Sequence, residues 1–373
     1  MLEPVALTRC RSYDPLLVRE ALDEAIALCG GLPDSLCEGK TVVIKPNLLM
    51  PKHPDAAATT HPVLVRAMVE LLQARGCRVV VGDCPGGPAN AAYVRRVFES
   101  TGMAEVCRQT GATLAMEAKS VVVPIQNGPM ATLELADFLM EADAVVNISK
   151  CKTHGMTGAT GCVKNLYGAV PGLRKADYHH RFPDIQDFCR MLCAIEQAVH
   201  PVFHVMDAVM GMEGAGPSAG TPRAIGAILC GRNPHAVDSV AARLMGYDPM
   251  TLPLLAMAAK NGWWGEVEVL GQTVESLQVL DYKRQQARQD SGVMRHSPKI
   301  VKAALRTFCY AHPKLNRDLC VSCGECMRAC PPKAITIKPK QKPKIKAADC
   351  IACFCCQELC PKGAFEIRQG WIR

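Results

Sequence analysis

Apolar positions along the chain switch between two periods. The run "VALTRC" is followed by Asp14 and Pro15, a helix cap and first-turn proline, and then by an apolar stripe through Val18, Leu22, Ile26 and Leu28 at helical spacing. "TVVIKPN" is a buried strand. Thr60 and Pro62 open the helix "HPVLVRAMVELLQARG", and Gly76 stops it before the strand "RVVVGD". Asn90 starts another helix, and "AVVNIS" at 144–149, "FHVMD" and "AIGAILCG" are further strands. Continuous Val and Ile runs joined by helices predict an α/β fold, a largely parallel sheet covered on both faces. Residues 1–285 make up this domain, either as one body or as two lobes meeting near residue 130. The polar, basic stretch Asp281–Arg306 has few strand signals, so 286–310 is expected to be a linker or exposed helix setting off a small unit at 311–373.

That last unit carries two cysteine combs. Cys320, Cys323, Cys326 and Cys330 followed by Pro331 fit C-x2-C-x2-C-x3-C-P, and Cys350, Cys353, Cys356, Cys360 and Pro361 fit it again. In this spacing three close thiolates grip one cubane and the fourth cysteine of each comb ligates the other cluster. The expected assignment is one [4Fe-4S] cluster on Cys320, Cys323, Cys326 and Cys360, and a second on Cys350, Cys353, Cys356 and Cys330, in a ferredoxin-like α+β domain. Zinc sites usually pair C-x2-C arms across a longer loop, and a disulfide framework would suit a short secreted chain. Cys355, between two ligands, reads as a packing neighbour.

Composition agrees with a reducing compartment. The chain has 373 residues and 21 cysteines, and its first residues show neither a basic n-region nor an apolar h-region, so a cytoplasmic protein is expected. Cys29, Cys77, Cys107, Cys189 and Cys193 sit singly in apolar surroundings as small hydrophobes. No apolar run nears the roughly 18 residues of a spanning helix. Of the formal charge of +8, much is local to Lys333, Lys338, Lys340, Lys342, Lys344 and Lys346 between the combs. With only 5% aromatic residues there are few stacking platforms, and nucleic-acid binding is not expected. The lysine run is a solvated loop or a docking patch for an acidic electron donor.

In α/β sheets functional groups gather at the carboxyl ends of strands. Lys45 and Asn47 end "VVIKPN", Asp83 ends "VVVGD", Lys150 and Lys152 follow "AVVNIS", and Asp207 ends "FHVMD", which predicts a shared pocket. "SKCKTHGMTGATGCVKNLYGAVPG" sets Lys150, Lys152, His154, Lys164 and Asn165 among glycines, suiting an anion such as a carboxylate or phosphate. "DAVMGMEGAGPSAG" places Asp207 and Glu213 beside a glycine-rich loop, where carboxylates could serve proton transfer or a divalent metal. His179 and His180 are further candidates for metal or acid/base roles, one of them a surface residue. The "EGKT" stretch lacks the first glycine of a P-loop and precedes its strand, and no G-x-G-x-x-G follows the first strand, so ATP, NAD and flavin motifs are not seen.

The segments "VVIKPNLL", "KCKTHGMTGATGCVKNLYG", "MEGAGPSAG" and "HAVDSVAARLMGYDP", followed by the combs, resemble the DUF362 family with a ferredoxin-type tail. The resemblance implies a large α/β domain in which Lys45, Lys152, Thr153, His154, Lys164, Asn165, Glu213, Gly216, Pro217 and Asp238 match the family's motifs. Cys151 and Cys162 depart from many relatives, which leaves open a third redox or metal site. Two functions compete. In one, electrons from the clusters reduce an anionic small molecule held by Lys45, Lys152, His154 and Lys164, with His154 or Glu213 supplying a proton. In the other, the chain is an electron-transfer or maturation partner docking to another redox protein.

Overall fold

The computed structural model describes residues 2–87, 90–125, 128–172, 174–287 and 311–368. The expected connection at 286–310 therefore lies, from 288 onward, outside the described residues. Eleven strands belong to the α/β unit: β1 (Glu3–Arg9), β2 (Thr41–Pro46), β3 (Arg78–Val81), β4 (Thr113–Leu114), β5 (Ser120–Pro124), β6 (Thr132–Ala136), β7 (Ala144–His154), β8 (Gly158–Thr160), β9 (Phe203–Glu213), β10 (Thr221–Gly231) and β11 (Val267–Gly271). Nine of them form one sheet in the order β11-β1-β10-β9-β7-β2-β3-β4, with β8 folded back on β7, while β5 and β6 make a separate hairpin. The block from β9 through β7, β2 and β3 to β4 is parallel, and β10 runs antiparallel between β9 and β1. The fold is α/β, a mostly parallel mixed sheet flanked by helices. Strands on both sides of residue 130, where two lobes could have met, share this sheet.

Alternate residues of the central strands feed two cores. Val42, Ile44, Val146 and Ile148 pack against helices Pro15–Leu28 and Pro62–Ala74, whereas Val43 and Val145 face the helix Ile185–Val199. Asp14 caps its helix by accepting from Leu16 N at 2.9 Å, as its position before Pro15 predicts. Thr60 does not cap the next one. His61 does so through Nδ1, while Thr60 accepts from Asn47 N and donates to Ile148 O, both at 2.8 Å, tying the end of β2 to β7.

Two strands run longer than their apolar stretches suggest. β7 continues through Lys150 and Lys152 to His154, every residue buried, and β9 continues past Asp207 to Glu213. The glycine-rich segment is thus half strand and hairpin. It leads into the short helix Cys162–Asn165, whose first amides, Cys162 N and Val163 N, donate to the Asp238 carboxylate at 2.5 and 3.2 Å. Asp238 comes from the helix Pro234–Leu244, and burial pushes its pKa up to about 7.

The C-terminal unit pairs β12 (His312–Leu315) with β15 (Phe365–Arg368) and β13 (Ile335–Thr336) with β14 (Lys344–Ile345), both antiparallel, around the short helices Glu325–Arg328 and Cys355–Glu358. Ala352 and Phe354 of its second comb enter the α/β core beside Val163, Leu166 and Tyr167. Among the described residues no helix is long and apolar enough to cross a membrane.

Asp238 anchors the helix that carries Lys164 and Asn165, so removing its carboxylate should leave two buried amides without acceptors. Asp238→Ala is expected to lose about 2–6 kcal/mol, at roughly 1–3 kcal/mol per orphaned group, read as a lower denaturant midpoint at unchanged slope. Asp238→Asn, which keeps one accepting oxygen, should lose less than half as much. Equal losses would place the effect in the charge instead of the amides.

Candidate functional site

Both combs build the same cage. Residues two and four positions after the first cysteine adopt left-handed backbone in each: Ser322 (φ 57°) and Gly324 (φ 83°), Ala352 (φ 52°) and Phe354 (φ 62°). These reversals curl the chain so that backbone N–H groups turn inward, the arrangement that makes nests for anionic sulfur. Ser322 N, Ala334 N, Ala352 N and Ala364 N donate to the sulfurs of Cys320, Cys330, Cys350 and Cys360 at 3.2–3.4 Å. Cys320, Cys323, Cys326 and Cys360 line one hollow, and Cys350, Cys353, Cys356 and Cys330 line another. The fourth cysteine of each comb thus faces the hollow of the other. Among the described residues no three His, Cys, Asp or Glu side chains gather as closely as a single ion needs. Four thiols around each hollow, with inward amides and apolar walls, are a donor set that fits a cubane.

A cavity of about 440 Å³ lies where the two units meet. Asn47, Asp83, Lys164, Asn165, Tyr167 and Lys175 wall it from the α/β side, and Glu325, Arg328, Cys355, Glu358 and Leu359 from the helices of the two combs. A second cavity, of about 590 Å³, shares Asp83, Cys84, Asn90 and Gly172 with it and extends toward Lys119, Glu134 and Arg174.

Behind the first cavity runs a buried polar network. Lys45 Nζ donates to Asp83 Oδ1 at 2.7 Å, and the other Asp83 oxygen accepts from Leu48 N. Lys152 Nζ donates to Asn47 Oδ1 (2.7 Å) and Ala58 O (2.6 Å); Asn47 Nδ2 donates to Asn165 Oδ1 (2.9 Å), and Asn165 Nδ2 to Asn147 Oδ1 (2.7 Å). Burial, reinforced by the nearby Lys164 charge, pulls the Lys152 pKa down to about 7. Lys164 differs from its neighbours. Among the described residues its ammonium has no hydrogen bond or ion pair; it lies 5.9 Å from the Tyr167 ring centroid, and burial lowers its pKa.

His154 holds the two units together. Its Nδ1 accepts from Met156 N (3.0 Å) and Thr157 N (3.3 Å), which leaves the ring proton on Nε2, 2.7 Å from Glu358 Oε1. Burial, then the Lys164 charge, lowers the His154 pKa to about 4, so the ring is neutral. Burial works against the Glu358 charge, but His154 and Lys164 outweigh it and hold the carboxyl well below the usual carboxylate range.

The expected pocket is therefore divided. Asn47, Asp83, Lys164 and Asn165 wall the cavity, and Lys45 and Lys152 support it from behind. Lys150 and Asp207 pair at 2.8 Å inside their strands, with the Tyr13 hydroxyl bridging both. Thr153 donates to Gly214 O (2.9 Å), and Glu213 accepts from Lys283 N (3.1 Å). Neither His154 nor Glu213, the expected proton donors, walls the cavity, because His154 is occupied as a strut and Glu213 as a tether. His179 is buried on the cavity wall, stacked on Phe188, and His180 is exposed. Cys151 and Cys162 pack in the apolar core with Met206 and Leu229, Cys162 lying 3.2 Å from Ser149 Oγ. Sequence reasoning missed Glu358, Lys175 and Tyr167. Glu358 stands three residues after Cys355, on the same helical face, a spacing that could have pointed to it.

Residues 42–243 match the family described as "Domain of unknown function (DUF362)", and residues 319–364 match a "4Fe-4S dicluster domain". A thylakoid-associated protein of Synechocystis sp. is 31% identical over 272 residues, 70% of this chain and 80% of that protein. The lactate racemase apoprotein of Thermoanaerobacterium thermosaccharolyticum superposes with a TM-score of 0.42 at 13% identity over 64% of this chain, and the chain spans 57% of that structure's chain. On the match over residues 42–243, more than half of its length, the chain belongs to the DUF362 family, here joined to a 4Fe-4S ferredoxin-type domain.

Proposed function

We propose that this iron–sulfur protein is an oxidoreductase that passes electrons from two [4Fe-4S] clusters, held by Cys320, Cys323, Cys326 and Cys360 and by Cys350, Cys353, Cys356 and Cys330, to an anionic small molecule in the cavity between the two units. One observation carries this reading: a buried lysine with no hydrogen bond or ion pair among the described residues, Lys164, faces the same cavity as the helix of the second comb. An unpaired buried ammonium costs several kcal/mol. A bound anion would relieve that cost, and the Tyr167, Leu49 and Leu359 side chains offer an apolar body somewhere to lie.

When bound, each cluster supplies one-electron transfers. The chain's residues do the rest. Lys164 binds the anion and, as an ammonium made more acidic by burial, is the group placed to release a proton to negative charge that develops on reduction. Asn47 and Asn165 present amides whose orientation is set by Lys152 and Asn147. The His154–Glu358 contact keeps the comb helix seated against the cavity. The other reading, an electron-transfer or maturation partner with no small-molecule chemistry, draws on the solvent-facing Cys323.

Purified anaerobically, the protein should hold about eight irons and eight sulfides per chain, as two cubanes require. Cys353→Ala should lose about half of them, and Cys355→Ala none. Unchanged iron in Cys353→Ala would overturn the ligand assignment.

Low-temperature EPR of the photoreduced protein, titrated with benzoate as an anion with an apolar body, tests the cavity. The signal of the second-comb cluster should shift, and Lys164→Met should weaken binding about tenfold or more, a change of at least 1.4 kcal/mol. The Lys164 pKa is lowered from 10.5, so binding should be strong at low pH and fade as pH rises through that lowered value; the variant should show no such slope. Signals indifferent to benzoate and to every other small anion, but altered by a protein partner, would favour the docking reading.

A further inference from the structure

The two combs repeat at an offset of thirty residues, yet only one is covered. Val321 is 57% exposed where its counterpart Ile351 is 8%, and Met327 is 41% exposed where Gln357 is 1%. Cys323 is exposed and Cys353 is buried. Leu319, half exposed, adds to the first comb's bare apolar face. The second comb owes its cover to the α/β unit, which receives Ala352 and Phe354 into its core. Since the cage has the same geometry twice, the fold itself has no need of apolar side chains facing solvent at the first comb, and a clustered patch of that kind marks an interface.

Charge says what the patch fits. Lys342, whose Nζ donates to Cys320 O, and the exposed Lys362 flank the first hollow, and Lys338, Lys340 and Lys344 follow on the same exposed connection. Of the acidic groups nearby, Glu325 pairs with Arg328 and Asp349 with Lys346 at 2.7 Å, which leaves the exposed Asp318 beside Leu319 against the several lysines. Apolar centre with a basic rim is the surface that captures an acidic protein at a rate set by electrostatics.

We infer that the first comb's face, centred on Val321, Cys323 and Met327 and rimmed by Lys342 and Lys362, docks an acidic one-electron carrier protein. One electron leaves the reduced carrier for the cluster held by Cys320, Cys323, Cys326 and Cys360, so the carrier is oxidised and the cluster reduced by one electron, and no proton moves. This rests on the cluster assignment above and not on the small-molecule reading.

The test uses the holoprotein under anaerobic conditions with a reduced, acidic plant-type [2Fe-2S] ferredoxin as probe. Affinity is measured by equilibrium binding, and cluster reduction by stopped-flow, at low and high salt. Lys342→Glu/Lys362→Glu should weaken binding and slow reduction about tenfold or more and flatten the salt dependence, while Val321→Ser should weaken binding with the salt dependence kept. Iron content and reduction by photoreduced deazaflavin should stay at wild-type levels in both, and Lys260→Glu in the α/β unit should match wild type. Wild-type affinity and salt dependence in the double variant would overturn the inference. So would loss of iron with unchanged binding, which would assign the lysines to cluster retention.

Discussion

The contact between His154 and Glu358 is the point on which the architecture turns. It joins the end of β7 to the helix of the second comb across 2.7 Å, with the imidazole neutral and its Nε2 facing the carboxylate. A neutral ring beside a charged carboxylate makes a close polar contact without burying a second full charge, whose desolvation would cost several kcal/mol. The packing of Phe354 and the bond from Ser218 Oγ to Gln357 O act along the same seam. Without that seam the comb helix would not close the cavity, and Lys164 would face solvent instead of an enclosed space.

Enclosure changes what the lysines can do. Lys45 and Lys150 each meet a carboxylate and serve as fixed parts of the frame. Lys152 meets only neutral oxygens, and burial draws its pKa to about 7, so near neutrality it moves between ammonium and amine while its hydrogen bonds hold Asn47 in place. Lys164 keeps a cation facing the cavity, with no hydrogen bond or ion pair among the described residues and only the more distant charge of Glu358 acting on it. Frame, adjustable support and open cation are three states of one side chain, separated by the hydrogen-bond partners that burial makes decisive.

The cysteine combs were legible because ligand spacing is a local property: two intervening residues place thiols around a cubane whatever else the chain does. The α/β class was legible for a similar reason, since the Val and Ile runs at 42–44 and 144–146 are continuous where both sheet faces are buried. The site was half legible. Lys45, Asn47 and Asp83 follow short apolar runs and do gather at strand ends. Lys150, Lys152 and Asp207 read as lying beyond their strands, because polar residues interrupt the apolar pattern, yet each is paired or hydrogen-bonded within the sheet and the strands continue through them. Tertiary partners overrode periodicity there. Glu358 was hidden for the opposite reason: its partner lies some two hundred positions away, and its spacing from Cys355 is the one local mark it carries.

The internal repeat shows how one cage acquired two environments. The cage demands left-handed backbone at the fourth turn position, and Gly324 meets it at no steric cost. The equivalent Phe354 accepts a conformation that costs a bulky residue about 1–2 kcal/mol. Burying a phenylalanine side chain returns about 1.5–3 kcal/mol, and the Phe354 ring is 1% exposed within the α/β core. The two terms are of similar size, with packing ahead, so strain at the second comb persists because docking repays it. At the first comb no neighbour among the described residues does so, glycine stands in the turn, and the apolar residues beside it face outward.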